Sequence, residues 1–137
     1  MKTILFVIAL ISVATVATTA SVYAGKDQGS ADCASDSHYP IISKADLKQH
    51  VDAKDAFIVD VNSSESFKDA HVPNAIHFAD HKTDFAKLLP AQKDALIVAY
   101  CGGPKCEAWL NAAKKACELG YTNIQHFKDG ISGWKKI

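Results

Sequence analysis

The sequence carries no excess of charge of either sign. Its fifteen basic and fifteen acidic residues balance, so its formal net charge is zero with neutral histidines. Nucleic acids and anionic membrane surfaces attract proteins through an extended basic field, which a balanced chain does not provide. We therefore expect neither as a partner. The 137 residues also contain no internal repeat and no low-complexity segment, which favours one ordinary globular domain.

Long uncharged runs are scarce, and the one present lies at the N-terminus. Lys2 precedes an uncharged run over residues 3–25 that begins with "ILFVIALISV" and ends with "SVYAG". This pattern is typical of a secretory signal peptide, which we assign to residues 1–24 with cleavage after Ala24. The alternative is a retained N-terminal membrane anchor facing outside the cytosol, although the threonine-rich second half of the run disfavours a span. We predict an exported protein, periplasmic or secreted, without stable membrane contact after cleavage.

Cysteine is scarce as well, with four residues in the chain. Thiols outside the cytosol tend to be oxidised, so an exported chain could form two disulfides in any of three pairings. The sequence does not choose among these pairings. Cys117 shares a helical face with Leu110 and Ala113, and we interpret it as a buried inert thiol. Cys33 is expected to stay free or to pair between chains.

The order of the segments predicts the fold class. Residues 25–38 are rich in small and polar residues and are interpreted as a flexible tether, and residues 39–137 as the folded domain. In that domain, strand-like segments alternate with helical ones that include "KADLKQHV" after Ser43 and "EAWLNAAKKACEL" before Gly120. The strand candidates are "PII", "AFIVDV", "AIHF", "ALIVAY" and "NIQHF". This alternation predicts an α/β fold, with a mostly parallel sheet of about five strands and helices on both faces.

The segment "IVAYCGGPKCEAW" places Cys101 where a buried strand ends. Ligands bind at the carboxyl ends of parallel strands. Gly102 and Gly103 let the backbone curl into a nest of N–H groups, although Pro104 contributes none. A helix predicted to start near Cys106 or Glu107 would add partial positive charge, and Lys105 a nearby cation. Such an environment shifts a thiol toward the nucleophilic thiolate.

A metal site and a structural disulfide are the other two interpretations of this cysteine pair. A structural zinc site normally uses four ligands, and no second ligand pair is present, so we expect no metal and no cofactor. A structural disulfide between Cys101 and Cys106 remains open. It would close a very short loop and would restrict the unfolded chain only weakly.

Three segments together resemble the rhodanese-like sulfurtransferases. They are "FIVDVNSSESFKDAHVPNAIHF", "IVAYCGGPKCEAW" and "LGYTNIQHFKDGISGW", in the order that this family shows. The resemblance implies that Cys101 carries a persulfide and that the loop over residues 102–107 binds the substrate through its amides. It also implies that Asp60 and His71 brace the nearby loops. A sulfur atom would pass from a small donor (thiosulfate, polysulfide or persulfide) to Cys101, and then to a thiol or other nucleophile.

The sequence departs from the family pattern at the site itself. Asn62 stands where arginine is frequent after the Asp-Val pair, and Cys106, followed by Glu107, stands where arginine or threonine is frequent. A missing arginine weakens binding of a dianion such as thiosulfate, and Glu107 would repel it. Phosphatases and arsenate reductases of this fold use a longer loop that ends in arginine. Phosphate ester hydrolysis is therefore not expected.

Cys106 leaves two functions open. As a resolving thiol it would attack a persulfide on Cys101, release sulfide and leave a disulfide. As a small apolar residue it would only fill space at the start of the helix. The main hypothesis is a sulfurtransferase, and the alternative is a thiol–disulfide redox or sulfur-binding module that uses the Cys101/Cys106 pair. His77 and His81 are interpreted as ordinary surface histidines, and any protein acceptor of the sulfur is unknown.

Overall fold

A computed structural model describes residues 32–136. The expected signal peptide and the first part of the expected tether lie outside these residues. The strands are β1 (Ala56–Asp60), β2 (Ile76–His77), β3 (Leu96–Tyr100) and β4 (Ile124–His126). The helices are α1 (Lys44–Ala53), α2 (Ser64–Asp69), α3 (Phe85–Leu88), α4 (Trp109–Glu118) and α5 (Gly130–Trp134). No helix within the described range is long and apolar enough to cross a membrane.

The four strands form one parallel sheet in the order β2-β1-β3-β4, which confirms the predicted α/β class. The fifth strand candidate, "PII", contributes only an isolated bridge between Ile41 and His126. Ser43 already caps α1, because its side chain accepts a hydrogen bond from the amide of Asp46. The extended piece therefore ends before a strand can form, and the described sheet has four strands rather than five.

The core lies on both faces of the sheet, as successive side chains of a strand point to opposite sides. One face of β1 and β3 packs against α4, and its buried residues include Val59, Ile97 and Ala99. The opposite face packs against α1 and α5, and its buried residues include Val98 and Tyr100. Cys101, the next residue after Tyr100, therefore falls on the α4 side.

Helix α4 begins later than the sequence predicted. The expected start was near Cys106 or Glu107, and the structure places it at Trp109. The amide of Cys106 is already bonded to the carbonyl of Gly103, so the chain closes a turn before the helix starts. The predicted stop at Gly120 is confirmed, since this glycine has φ +89° immediately beyond the helix.

The prediction of a flexible tether is wrong for residues 32–38. These residues form two short 3-10 turns, and Cys33 is 2% exposed and bonded to Cys117. The hydroxyl of Tyr39 donates a 2.7 Å hydrogen bond to the carbonyl of Cys33, and the Tyr39 ring packs edge-on against Trp109. We call residues 33–41 the N-terminal arm. Cys117 is thus not an inert thiol, because the arm crosses α4 where the two sulfurs meet.

Candidate active site

Cys101 lies at the carboxyl end of β3 and is bonded to Cys106. The sequence left this disulfide open as an alternative, and it is present in the structure. The two partners differ in exposure. Cys101 is 1% exposed and belongs to the core cluster on the α4 side, whereas Cys106 is half-buried and packs against that cluster. Cys106 therefore covers the cysteine that the sequence predicted as nucleophile.

Helix α5 holds the loop that follows Cys101. The amide of Ile131 donates to the carbonyl of Cys101 at 2.9 Å, and the amide of Ser132 donates to the carbonyl of Gly102 at 3.0 Å. In a trans peptide the C=O and N–H groups point in opposite directions. The N–H groups of Gly102 and Gly103 therefore point away from α5. Neither has a protein acceptor within residues 32–136, so both are available to an anion.

Gly130 makes this close contact feasible. Its φ is +58°, and a Cβ placed on it would lie 2.5 Å from the carbonyl oxygen of Cys101 and 2.6 Å from the amide nitrogen of Gly103. Any larger residue would push α5 away from the loop. This role was not predicted from the sequence, where "DGISGW" was interpreted only as a closing segment. The Asp129-Gly130 pair was the available signal, since such pairs mark turns that need a positive φ.

Asp60 is fully buried at the end of β1 and joins three segments. Its carboxylate accepts hydrogen bonds from the backbone and side-chain amides of Asn62, both at 2.8 Å, and from the hydroxyl of Tyr100 at 2.5 Å. The Tyr100 oxygen in turn accepts from the amide of Val72. Burial first, and then the hydrogen bond to Asp60, raise the pKa of Tyr100, so its hydroxyl stays protonated and donates.

Asn62 carries this network to the cysteine loop. Its side-chain oxygen lies 3.6 Å from the position that a Cβ on Gly102 would take. Asp60 thus orients a side chain whose oxygen faces Gly102 of the loop. Its assigned role as a brace stays a prediction that these contacts support.

His71 lies in a different place. It is exposed, stacks on Phe67 with ring centroids 4.1 Å apart, and its Nδ1 lies 2.8 Å from the Phe67 carbonyl. These contacts hold the end of α2. The structure does not bring His71 to the cysteine loop.

His77, interpreted from the sequence as a surface residue, is 3% exposed, and that interpretation is wrong. Its Nε2 lies 2.9 Å from the carbonyl of Asn62, and its Nδ1 lies 2.9 Å from a carboxylate oxygen of Asp80. Phe67 stacks on the ring and covers it. Burial alone lowers the pKa of His77. Asp80, the Asn62 carbonyl and the charge of Asp60 outweigh burial, so the net pKa is raised.

A groove beside Cys106 is lined by the N-terminal arm, the cysteine loop, Trp109, His126 and Lys128. His126 stacks on Trp109 with ring centroids 3.6 Å apart, and burial, followed by the charge of Lys128, lowers the pKa of His126 to about 4. At neutral pH it is therefore uncharged. Lysine supplies all fifteen basic residues of the chain, so no arginine is available to clamp an oxyanion with two parallel hydrogen bonds.

The amide-rich loop at Cys101 is bordered by exposed Lys105 and Glu107. Within residues 32–136, no group of three or more histidine, cysteine or acidic side chains is placed to hold a metal ion. The arrangement can support a thiolate, or a sulfur anion attached to it, through backbone amides. It also contains a second sulfur that can close on the first.

Residues 43–137 match the family model of the rhodanese-like domain, so the chain belongs to the rhodanese-like family. Among curated proteins it is 26% identical over 99 residues to the thiosulfate sulfurtransferase GlpE of Shewanella oneidensis, covering 72% of this chain and 94% of that protein. It is 25% identical over 97 residues to the uncharacterized protein YibN of Escherichia coli, covering 69% of this chain and 66% of that relative. The chain thus spans just under two thirds of YibN.

Solved structures share the fold. The BH2092 protein of Bacillus halodurans has a TM-score of 0.55 and 27% identity, with 70% of this chain and 71% of that chain covered. A human single-domain sulfurtransferase, TSTD1, has a TM-score of 0.57 and 21% identity, with 72% and 98% covered. At the latter identity the likeness concerns the fold alone.

Proposed function

We propose that the protein is an exported sulfurtransferase in which Cys101 carries a sulfane sulfur atom between a small donor and a thiol acceptor. The observation that carries this proposal is the position of Cys101 at the end of β3, followed by two glycine amides that point away from α5. Membership of the rhodanese-like family supports it. Disulfides within the described chain fit an oxidising compartment, which supports export.

The chemistry takes two displacements. With thiosulfate as donor, the Cys101 thiolate attacks the outer sulfur, the S–S bond of thiosulfate breaks, and sulfite leaves with the electron pair. The product, Cys101–S–S⁻, has its negative charge next to the Gly102 and Gly103 amides. An acceptor thiolate then attacks the outer sulfur of the persulfide, takes it, and releases the Cys101 thiolate. The amides favour the anionic sulfur in both steps.

The surroundings favour donors with little charge. A thiosulfate dianion would meet lysines but no arginine, and it would meet Glu107 at the loop. Lysine binds an oxyanion as a point charge and without the fixed geometry of a guanidinium group. We therefore expect a low-molecular-weight organic persulfide, whose sulfurs carry at most one negative charge, to load Cys101 faster than the thiosulfate dianion at equal concentration.

A second candidate function follows from the disulfide between Cys101 and Cys106. In this thiol–disulfide function, the Cys106 thiolate attacks Cys101 in its protonated persulfide form, Cys101–S–SH. A Cys101–Cys106 disulfide forms and HS⁻ leaves. The pair must then be reduced by two electrons from a thiol reductant before Cys101 can accept sulfur again. The site would thus transfer sulfur only after reduction.

Mass spectrometry of the intact protein distinguishes the two functions. The reduced protein, Cys101→Ser and Cys106→Ser are each incubated with thiosulfate or polysulfide and weighed. Sulfur transfer predicts a gain of one sulfur atom in the parent and in Cys106→Ser, and none in Cys101→Ser at this site. Loss of two hydrogens without added sulfur, mapped by peptide mass to Cys101 and Cys106 and not to Cys33 and Cys117, would favour the redox function. No gain in Cys106→Ser with any donor would contradict the proposed sulfurtransferase.

A further inference from the structure

The two sulfurs of the Cys101–Cys106 disulfide are not equivalent, and we infer that a thiol reductant opens it by attacking Cys106 and not Cys101. The inference rests on the proposed function of this pair, and it adds which of the two sulfurs is attacked when the disulfide is reduced. The partner is a thiol reductant of the dithiol class. Cys101 is released first, as the leaving thiolate.

Access is the first reason. A thiolate must reach the sulfur it attacks, in line with the bond that breaks. Cys101 has 1% of its surface exposed and is packed among core residues of the α4 face. Cys106 is half-buried and lines two depressions of the surface, one of them the groove beside the N-terminal arm. Cys101 lines neither depression.

The leaving group is the second reason. Thiol–disulfide exchange is faster when the departing thiolate is the more stable one. If Cys106 is attacked, the departing thiolate is Cys101, whose following amides at Gly102 and Gly103 have no protein acceptor within residues 32–136. If Cys101 were attacked, the departing thiolate would be Cys106, whose own amide is already bonded to the Gly103 carbonyl. Both reasons select the same sulfur.

A dithiol reduces the disulfide in two successive displacements. A reductant thiolate R–S⁻ attacks Cys106, so that R–S–S–Cys106 forms, the old disulfide breaks, and Cys101 leaves as thiolate. The second thiolate of the reductant then attacks its own sulfur in the mixed disulfide and releases the Cys106 thiolate. The dithiol becomes a disulfide, and the protein gains two electrons. With a monothiol the second displacement needs another molecule, so the mixed disulfide, with Cys106 capped and Cys101 free, accumulates at early times.

Glutathione, a monothiol, tests this directly on the oxidised protein. The reaction is quenched after short times with N-ethylmaleimide, and the adducts are located by mass spectrometry after trypsin digestion. Cleavage after Lys105 separates the two cysteines, since Cys101 lies in the peptide 94–105 and Cys106 in the peptide 106–114. At early times we expect glutathione on Cys106 to exceed glutathione on Cys101 by at least about tenfold, with maleimide on Cys101.

The matched control is the same reaction in concentrated urea, where the difference in burial is removed and the two adducts should approach equal amounts. Glutathione mainly on Cys101, or equally on both cysteines of the folded protein, would overturn the inference. Sulfur loading of the fully reduced protein is measured in parallel. If Cys101 takes up sulfur but glutathione is found on Cys101, only the inference about the attacked sulfur is rejected. If glutathione is found on Cys106 but no sulfur is taken up, only the proposed sulfur transfer is rejected.

Discussion

The two disulfides of this small domain differ in the length of the loop they close and in what they hold in place. Cys33–Cys117 joins residues 84 positions apart and holds the N-terminal arm on α4. Cys101–Cys106 joins residues 5 positions apart, inside a loop that α5 and neighbouring hydrogen bonds already shape. The first bond constrains the chain. The second adds less constraint and contains Cys101, the cysteine proposed to carry the sulfur.

The length of the loop that each disulfide closes determines how much it stabilises the folded state. On a chain-entropy basis, the long loop stabilises the folded state by about 4.5 kcal/mol and the short loop by about 2 kcal/mol. A structural staple should show its effect in unfolding, and a reactive pair should show its effect in chemistry.

Removing the long disulfide should have the largest effect on stability. Cys33→Ser/Cys117→Ser should lower the free energy of unfolding by about 4 to 5 kcal/mol, because the unfolded chain regains the freedom of a loop of more than eighty residues. Urea denaturation followed by fluorescence measures this. The folded fraction should still load sulfur on Cys101. A loss below about 1 kcal/mol would show that the bond does not act as a staple.

The contact of the arm with Trp109 and His126 should make stability depend on pH. The pKa of His126 is lowered to about 4 in the folded state, so below its ordinary value of 6.5 the unfolded chain binds the proton first. Stability contributed by this residue is present above pH 6.5 and is lost as the pH falls toward 4, by about 3 kcal/mol in total.

His126→Phe keeps an aromatic ring on Trp109 and removes this titration. The difference in unfolding free energy between the parent and His126→Phe, measured from pH 7 to pH 4, should follow the proton uptake. His77 has the opposite sign, because its pKa is raised: its contribution is present below pH 6.5 and is lost as the pH rises through its folded pKa. Both the parent and His126→Phe contain His77, so its contribution cancels in the difference between them. A difference independent of pH would contradict this account.

Gly130 tests how α5 shapes the cysteine loop, and Gly120 is its matched control. Both have positive φ, at +58° and +89°, but an added Cβ meets the loop backbone only at Gly130. Gly130→Ala should cost about 3 kcal/mol from backbone strain plus the clash, and Gly120→Ala about 1 kcal/mol from strain alone. Sulfur loading per folded molecule should fall only in Gly130→Ala. Equal losses of unfolding free energy and equal sulfur loading in the two variants would show that α5 does not shape the cysteine loop.

The short disulfide should contribute less to stability than the long one. Cys101→Ser/Cys106→Ser should cost at most about 2 kcal/mol, since the loop it opens is short. Sulfur loading at this site should be lost completely. A cost as large as that of the Cys33/Cys117 double variant would assign the short disulfide a structural role.

The sequence predicted the secondary-structure elements better than the contacts between them. Alternating apolar segments, the Ser43 cap and the Gly120 stop are local signals, and the structure confirms them. The Cys33–Cys117 bond depends on the arm folding back across α4, a contact between residues far apart that no local pattern encodes.

Site residues divide in the same way. Cys101 and its glycines were readable from one short segment, because a nest needs consecutive residues. The supports of that segment come from elsewhere in the chain: Tyr100 bonds to Asp60, and Gly130 packs on the loop carbonyl. His77 was read as exposed because the ring that covers it, Phe67, lies on another element.

The most direct test of a sulfur site gated by its own disulfide is sulfur loading with and without prior reduction. The oxidised parent and Cys106→Ser are each given polysulfide, before and after dithiothreitol treatment and its removal, and are weighed intact. The account predicts no sulfur on Cys101 of the untreated parent, one sulfur atom after reduction, and loading of Cys106→Ser under both conditions. Equal loading of the parent with and without reduction would contradict it, as would a folded Cys106→Ser that never takes up sulfur.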